Sequence, residues 1–302
     1  MNNKQKILLP SLTIILSLFM SFSYSQETEW FSSLEDAMKK PSEVKRLSLA
    51  QNGLNSFPLE ILQFKNLESL ILWENNIVEI PEEIGNLSKL KELNLANNRL
   101  KQLPKSIEKL SELEKLNLNV NSLESFPKTI LKLRKLKDLI IGFNPIKEIP
   151  NEISELDKLV HLAIGGIGLR EFPIQLLKLE NLEELSINKN KIKTLPSDFT
   201  ACLKKLDYLN LSDNLLSEWP ERTELLVNLT SLHISDNNLT DLSKFCNFKS
   251  LKFLQGQNNN FSLSSPCLSE LTKLEFVNLR LNNFSQEQKT LINKALKCEN
   301  YL

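Results

Sequence analysis

This chain of 302 residues contains two histidines, seven glycines and four cysteines. Each shortage removes a class of function. A metal centre or a histidine-based relay has almost no raw material, and His161 and His233 are far apart in the chain. There is no H-E-x-x-H, no Walker loop, no C-x-x-C pair and no G-x-S-x-G. No catalytic residue, cofactor or metal is expected, and the chain is not expected to be an enzyme. An excess of charge is also lacking, with 37 basic and 37 acidic side chains. Long-range attraction for nucleic acid is therefore not expected. Beyond Ser25 no run of 18 apolar residues occurs, so no stable membrane insertion is expected for the mature chain.

What is present begins with a distinct amino-terminal segment. Lys4 and Lys6 precede an apolar run from Ile7 to Phe22, broken only by Pro10 and small polar residues. The pattern reads as a secretory signal peptide over residues 1–25, cleaved after Ser25 in the segment Ser23-Tyr24-Ser25. An uncleaved anchor is the alternative, but about 16 apolar residues fall short of the roughly 20 that a bilayer core requires. Cleavage leaves 35 basic against 37 acidic side chains. The destination is the cell surface, the periplasm or the medium.

From Val44 onward one pattern recurs with a spacing of 23 residues, once 24 and once 22. Its clearest copy is Leu90-x-x-Leu93-x-Leu95-x-x-Asn98-x-Leu100-x-x-Leu103-Pro104-x-x-Ile107-x-x-Leu110. Eleven copies start at Val44, Leu67, Leu90, Leu113, Leu136, Leu159, Leu182, Leu206, Leu229, Leu251 and Leu274. The alternation in Leu93-x-Leu95 places both leucines on one face of a short strand. A single strand cannot bury them, but copies stacked about 4.8 Å apart form a parallel sheet over a continuous core. Asn at the ninth position offers both donor and acceptor to turn backbone groups that stacking would otherwise bury unpaired. Proline at positions such as Pro58, Pro81, Pro104 and Pro127 fixes φ and removes an N–H, which separates the strand turn from the following segment.

The pattern resembles the leucine-rich-repeat family, L-x-x-L-x-L-x-x-N-x-L closed by L-P-x-x-I-x-x-L, of the kind found in secreted bacterial proteins. The resemblance covers residues 44–284. It implies an α/β solenoid, a horseshoe with a parallel sheet on the concave face and short helical or irregular segments on the convex one. Helical caps are expected over residues 26–43 and 285–302. At the first, Ser32-x-x-Glu35 is a candidate capping box leading into Leu34, Ala37 and Met38. At the second, Ser285-x-x-Gln288 opens a helix whose Leu291, Ile292, Ala295 and Leu296 should close the last coil.

The resemblance also makes the concave sheet face the usual binding surface, so outward strand positions carry the information. Tyr208, His233, Phe253, Phe276 and Arg280 gather toward the carboxyl end, Ile71 and Trp73 toward the amino end, and Ile140 and His161 lie between. Aromatics and arginine are common interface anchors. These nine residues are the candidate partner-binding set. The two histidines lie three units apart, about 14 Å by sheet spacing, too far to share a metal. Gly165-Gly166-Ile167-Gly168 replaces the ninth-position Asn of the sixth unit with Ile167, so that turn should differ, either to admit a partner's backbone or to compensate for the missing Asn. Cys246 and Cys267 occupy similar positions in adjacent coils, close enough for a disulfide, while Cys202 is too far from Cys246 to join it.

The leading function is thus binding of a partner protein, including a host protein, by a monomer. Recognition of a glycan or lipid by the basic run Lys128, Lys132, Arg134, Lys135 and Lys137 on the convex side and its edge is the alternative. On expression in a secreting host, the mature chain should begin at Gln26. Amino-terminal sequencing that finds an intact Met1 would refute the leader.

Overall fold

The computed structural model describes residues 29–262, 265–296 and 298–302. The leader expected over residues 1–25 and its cleavage site lie outside them. The chain winds into a right-through stack of coils whose strands form one open parallel sheet of thirteen, in strict sequence order. Eleven strands come from the repeat units. They are β2 (Arg46–Ser48), β3 (Ser69–Ile71), β4 (Glu92–Asn94), β5 (Lys115–Asn117), β6 (Asp138–Ile140) and β7 (His161–Ala163). The series continues with β8 (Glu184–Ser186), β9 (Tyr208–Asn210), β10 (Ser231–His233), β11 (Phe253–Gln255) and β12 (Phe276–Asn278). Register is kept residue for residue, so that Glu92 sits beside Lys115, and Lys115 beside Asp138.

Each unit contributes the same inward set to the core. In the third, Leu93 is 1% exposed, and Leu95, Leu100, Ile107 and Leu110 are fully covered. Burial of one such side chain contributes about 1.5–3 kcal/mol, and it happens only because the next coil supplies the covering surface. The prolines act as the spacing implies. Pro58, Pro81, Pro104, Pro127, Pro150 and Pro173 have φ between −65° and −71°, and each precedes a 3-10 helix of five residues such as Lys105–Lys109. The one unit of 24 residues, from Leu182, fits its extra residue by making a short α-helix, α2 (Phe199–Cys202), where nine of the others make a 3-10 turn.

Two regular features join neighbouring coils. The ninth-position Asn is buried in seven units and half-buried in two more: Asn98 donates to the carbonyls of Leu72 in the preceding coil (2.9 Å) and of its own Leu95 (3.1 Å), and accepts the Ile77 N–H (3.0 Å). The residue before it is left-handed in all eleven units, with Gly166 in the sixth and side-chain-bearing residues such as Val120 (φ 53°) and Phe143 (φ 51°) elsewhere. An L-residue in that conformation costs about 1–2 kcal/mol, which the Asn bonds offset. No sequence signal marks this row, because any residue type fills it.

The ends depart from purely helical caps. A two-residue strand, β1 (Trp30–Phe31), pairs with β2 ahead of helix α1 (Leu34–Lys39). That helix is capped by Ser33, whose Oγ accepts the Asp36 N–H at 3.3 Å, one residue later than the expected box at Ser32. At the other end the capping box forms as expected, with Ser285 and Gln288 satisfying one another's backbone N–H groups ahead of α3 (Gln286–Ala295). Ile292 and Leu296 close the last coil, but Leu291 is 51% exposed and lies off the packed stripe. After α3 the chain adds β13 (Glu299–Tyr301) to the edge of β12. Both extra strands lack the L-x-L signature, which is why periodicity missed them.

Cys246 and Cys267 are joined in a disulfide between adjacent coils, with Cα atoms 5.6 Å apart. Cys202 is a half-buried free thiol.

Replacing Asn98 with Ala removes two donors and an acceptor from backbone groups that have no water to turn to. A stability loss of about 3 kcal/mol is expected in urea denaturation, since each unsatisfied buried group costs about 1–3 kcal/mol. A loss below about 0.5 kcal/mol would show that the ladder is not what joins the coils.

Candidate partner-binding face

The outward rows of the sheet are the surface on which a ligand can be read. At the amino end Trp73 is 37% exposed and Ile71 half-buried, beside a side-chain hydrogen bond from Gln51 Nε2 to Glu74 Oε2 of the next coil (2.7 Å). At the carboxyl end Phe253 is 38% exposed. Tyr208 is half-buried, its ring 5.1 Å from that of His233, and burial together with the charge of Glu184 pushes its hydroxyl up to about 12.

His233 corrects the sequence reading. It was expected at the surface and is only 3% exposed, with Nε2 3.0 Å from Ser231 Oγ. Its row is outward, but Tyr208 on one side and Gln255 of β11 on the other fill the space above it. Burial pushes its pKa down to about 4, so the ring is neutral near neutrality. Phe276 is also half-covered, with the ring of Tyr301 of β13 5.7 Å from its own between centroids. Arg280 is exposed and stacks its guanidinium 4.3 Å from the same Tyr301 ring. Tyr301 is therefore part of this face, and nothing in the repeat pattern could reveal it.

In the middle of the face, half-buried Ile140 lies beside Ala163 on the next strand. His161 sits between two carboxylates in register: its Nδ1 bonds Asp138, and its Nε2 is 3.7 Å from Glu184. The Asp138 bond raises the pKa of His161. Glu184 is raised by its own burial. Sequence reasoning singled out the histidine and not its flanking acids, which only the register reveals. It also missed Phe143, 38% exposed on the left-handed row. Phe143 explains Gly166, since a Cβ there would come within 2.7 Å of its ring. A Cβ on Gly165 would meet the Asn188 side chain. Gly165 and Gly166 thus make room for side chains of this chain, while Gly168 stands in open space in the left-handed region (φ 82°) that favours glycine.

The basic run on the convex side and its edge is largely compensated. Arg134 pairs with Glu155, Lys135 with Glu112 and Lys137 with Glu114, each on a neighbouring coil. Among the described residues no cluster of histidine, cysteine and carboxylate is disposed to hold a metal, and no helix is long and apolar enough to cross a membrane.

Comparison with known proteins bears on this geometry. The model of a leucine-rich repeat region matches residues 82–207, and that of the single Leucine Rich Repeat matches residues 66–87 and 228–251. The chain belongs to the leucine-rich-repeat family. Members of this family and fold are typically non-enzymatic and commonly serve as protein–protein interaction modules. No curated protein sequence matches significantly. Among solved structures, the plant peptide hormone receptor RGFR1 in complex with RGF2 is 31% identical, with a TM-score of 0.66 over 80% of this chain and 40% of the receptor chain. An internalin, InlF of Listeria monocytogenes, is 20% identical with a TM-score of 0.71, covering 95% of this chain and 86% of the internalin. A leucine-rich-repeat protein of Leptospira interrogans is 25% identical over 91% of this chain and all of its own, with a TM-score of 0.49. This repeat protein thus spans less than half of the plant receptor chain it matches.

The two histidines of the leucine-rich-repeat face make opposite contributions to pH dependence. His161 has a raised pKa, so its stabilising effect is complete below the unfolded value of about 6.5 and fades as pH rises through the folded value. His233 has a depressed pKa. Its neutral form favours the fold above about 6.5, and that contribution is lost as pH falls toward 4. The difference in stability between the wild type and His233→Gln should therefore shrink by about 3 kcal/mol between pH 7 and pH 4. A difference independent of pH would show that His233 is not buried in its neutral form.

Proposed function

We propose that this is an exported bacterial protein–protein interaction module which, as a monomer, binds a partner protein, including one of host origin, through its concave face. The observation that carries the reading is the placement of Trp73 and Phe253, each more than a third exposed, on rows whose side chains point away from the core. Exposed aromatics on a rigid sheet supply large contact area at low conformational cost. Tyr208, Ile71, Ile140, Phe276 and Arg280 extend the surface, His161 gives it a polar centre, and His233 supports Tyr208 from below.

Export is supported by the apolar leader and by the Cys246–Cys267 disulfide, a bond that persists in oxidising compartments. The likeness to the plant receptor, itself solved in complex with RGF2, supports a polypeptide as the ligand class. The glycan or lipid alternative through the convex basic edge has less to draw on, because three of its five cations already face glutamates. Exposed pairs of this kind are screened and leave little net field.

The test is a capture assay with residues 26–302 against candidate extracellular proteins and glycans, beside a Trp73→Glu, Phe253→Glu variant shown to be folded by circular dichroism. Affinity for the partner should fall at least about 100-fold, since two central aromatic anchors contribute on the order of 2 kcal/mol each. Equal binding by both proteins would refute the concave-face reading.

A further inference from the structure

The occupant of the concave face can be narrowed by charge. Along the edge of the sheet the second position of each unit alternates in sign from coil to coil, as Lys45, Glu68, Lys91, Glu114 and Lys137. The alternation makes ion pairs: Lys91 with Glu68 at 2.7 Å and Lys137 with Glu114 at 2.8 Å, then Lys252 with Glu275 at 3.3 Å near the far end. Between these it fails. The next three units carry Val160, Glu183 and Asp207, so two exposed carboxylates follow one another with no lysine between. The adjoining outward row adds Asp138 and Glu184 around His161. Among the described residues no lysine or arginine makes an ion pair with Asp138, Glu183, Glu184 or Asp207. Asp207 is held by the Thr230 hydroxyl at 2.5 Å, which orients it without neutralising it.

Glu183, Glu184 and Asp207, which no described lysine or arginine pairs, abut the aromatic end of the face. Glu184 is in register with Tyr208, and exposed Phe253 stands two strands further on. At about 4.8 Å per strand the acidic edge at β8 and β9 lies on the order of 12 Å from Phe253. An extended peptide advances about 3.3 Å per residue, so that distance spans three or four residues.

The geometry points to an extended segment of a partner protein that crosses the strands and places a lysine or arginine against Glu183, Glu184 and Asp207. An aromatic or branched aliphatic residue three or four positions away rests on Phe253. This inference rests on the concave-face reading and adds the partner's chemistry to it. Bringing a cation to Glu183 and Asp207, which no described lysine or arginine of this chain pairs, and to half-buried Glu184, which His161 alone approaches, relieves their mutual repulsion. The contact should weaken as salt rises.

The test is selection from a library of immobilised short peptides by the mature chain. Four proteins are compared: wild type, Glu183→Gln/Glu184→Gln/Asp207→Asn, Glu275→Gln as a control on the same edge, and Phe253→Glu. The wild type should enrich lysine or arginine three or four positions from an apolar residue about tenfold or more over a scrambled library. The triple amide variant should lose the basic enrichment and keep the apolar one, and Glu275→Gln should keep both. Selection with no basic excess, or an excess unchanged in the triple variant, overturns the inference. In that case the concave-face reading survives if Phe253→Glu abolishes selection and falls with it if Phe253→Glu selects as the wild type does. An empty selection overturns the extended-segment inference outright.

Discussion

In nine of the eleven units an asparagine side chain binds two coils at once, and the outer turns of the stack depend on it. At the outer turn of each unit the chain must reverse in few residues, and it does so by placing the eighth residue in a left-handed conformation that side-chain-bearing residues disfavour. The turn also buries carbonyls that face no strand. Where it is present with a preceding coil, the ninth-position Asn resolves both costs, giving its amide protons to carbonyls of its own and the preceding coil and accepting an N–H from the latter. The strain is local to a unit and the compensation comes from its neighbour. A unit by itself is therefore unstable twice over, lacking cover for its leucines and partners for its Asn.

That interdependence explains how much of the fold was legible and where legibility stopped. Inward leucines, the Asn and the proline are each dictated by a physical need that recurs every turn, so periodicity exposes them without reference to anything else. The strands β1 and β13 are not repeats. They need only to pair with an existing edge, which Trp30–Phe31 and Glu299–Tyr301 do through backbone groups that carry no sequence signature. The burial of His233 was hidden for a related reason. A residue's row can be counted from the sequence, but its exposure depends on the size of the side chains one strand away, here Tyr208 and Gln255. Leu291 escaped the opposite way: helical periodicity placed it on the face with Ile292, yet Ile292 and Leu296 pack against the last coil and Leu291 remains half-exposed.

The candidate site was legible as a list of outward residues and illegible as an electrostatic surface. Residues one unit apart in sequence are neighbours in space, so charge complementarity has to be read down columns rather than along the chain. Reading down columns shows Asp138, His161 and Glu184 as one group and the pairing of lysines with glutamates as a zipper between coils. It also shows that the basic run on the convex side and its edge, conspicuous in sequence, is balanced by glutamates about one unit away. Conspicuous charge in a repeat protein is thus weak evidence of a binding site until the adjacent units have been counted.

The outer turns on either side of the fifth unit show what the stack tolerates. Pro145 has no N–H to give to Leu123, a bond that Arg99 and Ser122 make at the same position in earlier units. Ile167 stands where an Asn would accept the Ile146 N–H. One link of the outer turn is therefore missing between the fourth and fifth units and another between the fifth and sixth, yet the strand side is continuous: at the second of these Ile141 and Phe143 still donate to Ala163 and Gly165, at 2.9 and 2.7 Å. Ile167 is itself 6% exposed, so an apolar contact takes the place of the lost polar ones. The fault is confined to the turn, and the sheet that carries Asp138 and His161 crosses it in register. A solenoid held by two independent seams can lose one of them locally without disturbing the surface built on the other, which is how the sixth unit can depart from the family pattern while its strand still contributes to the concave face.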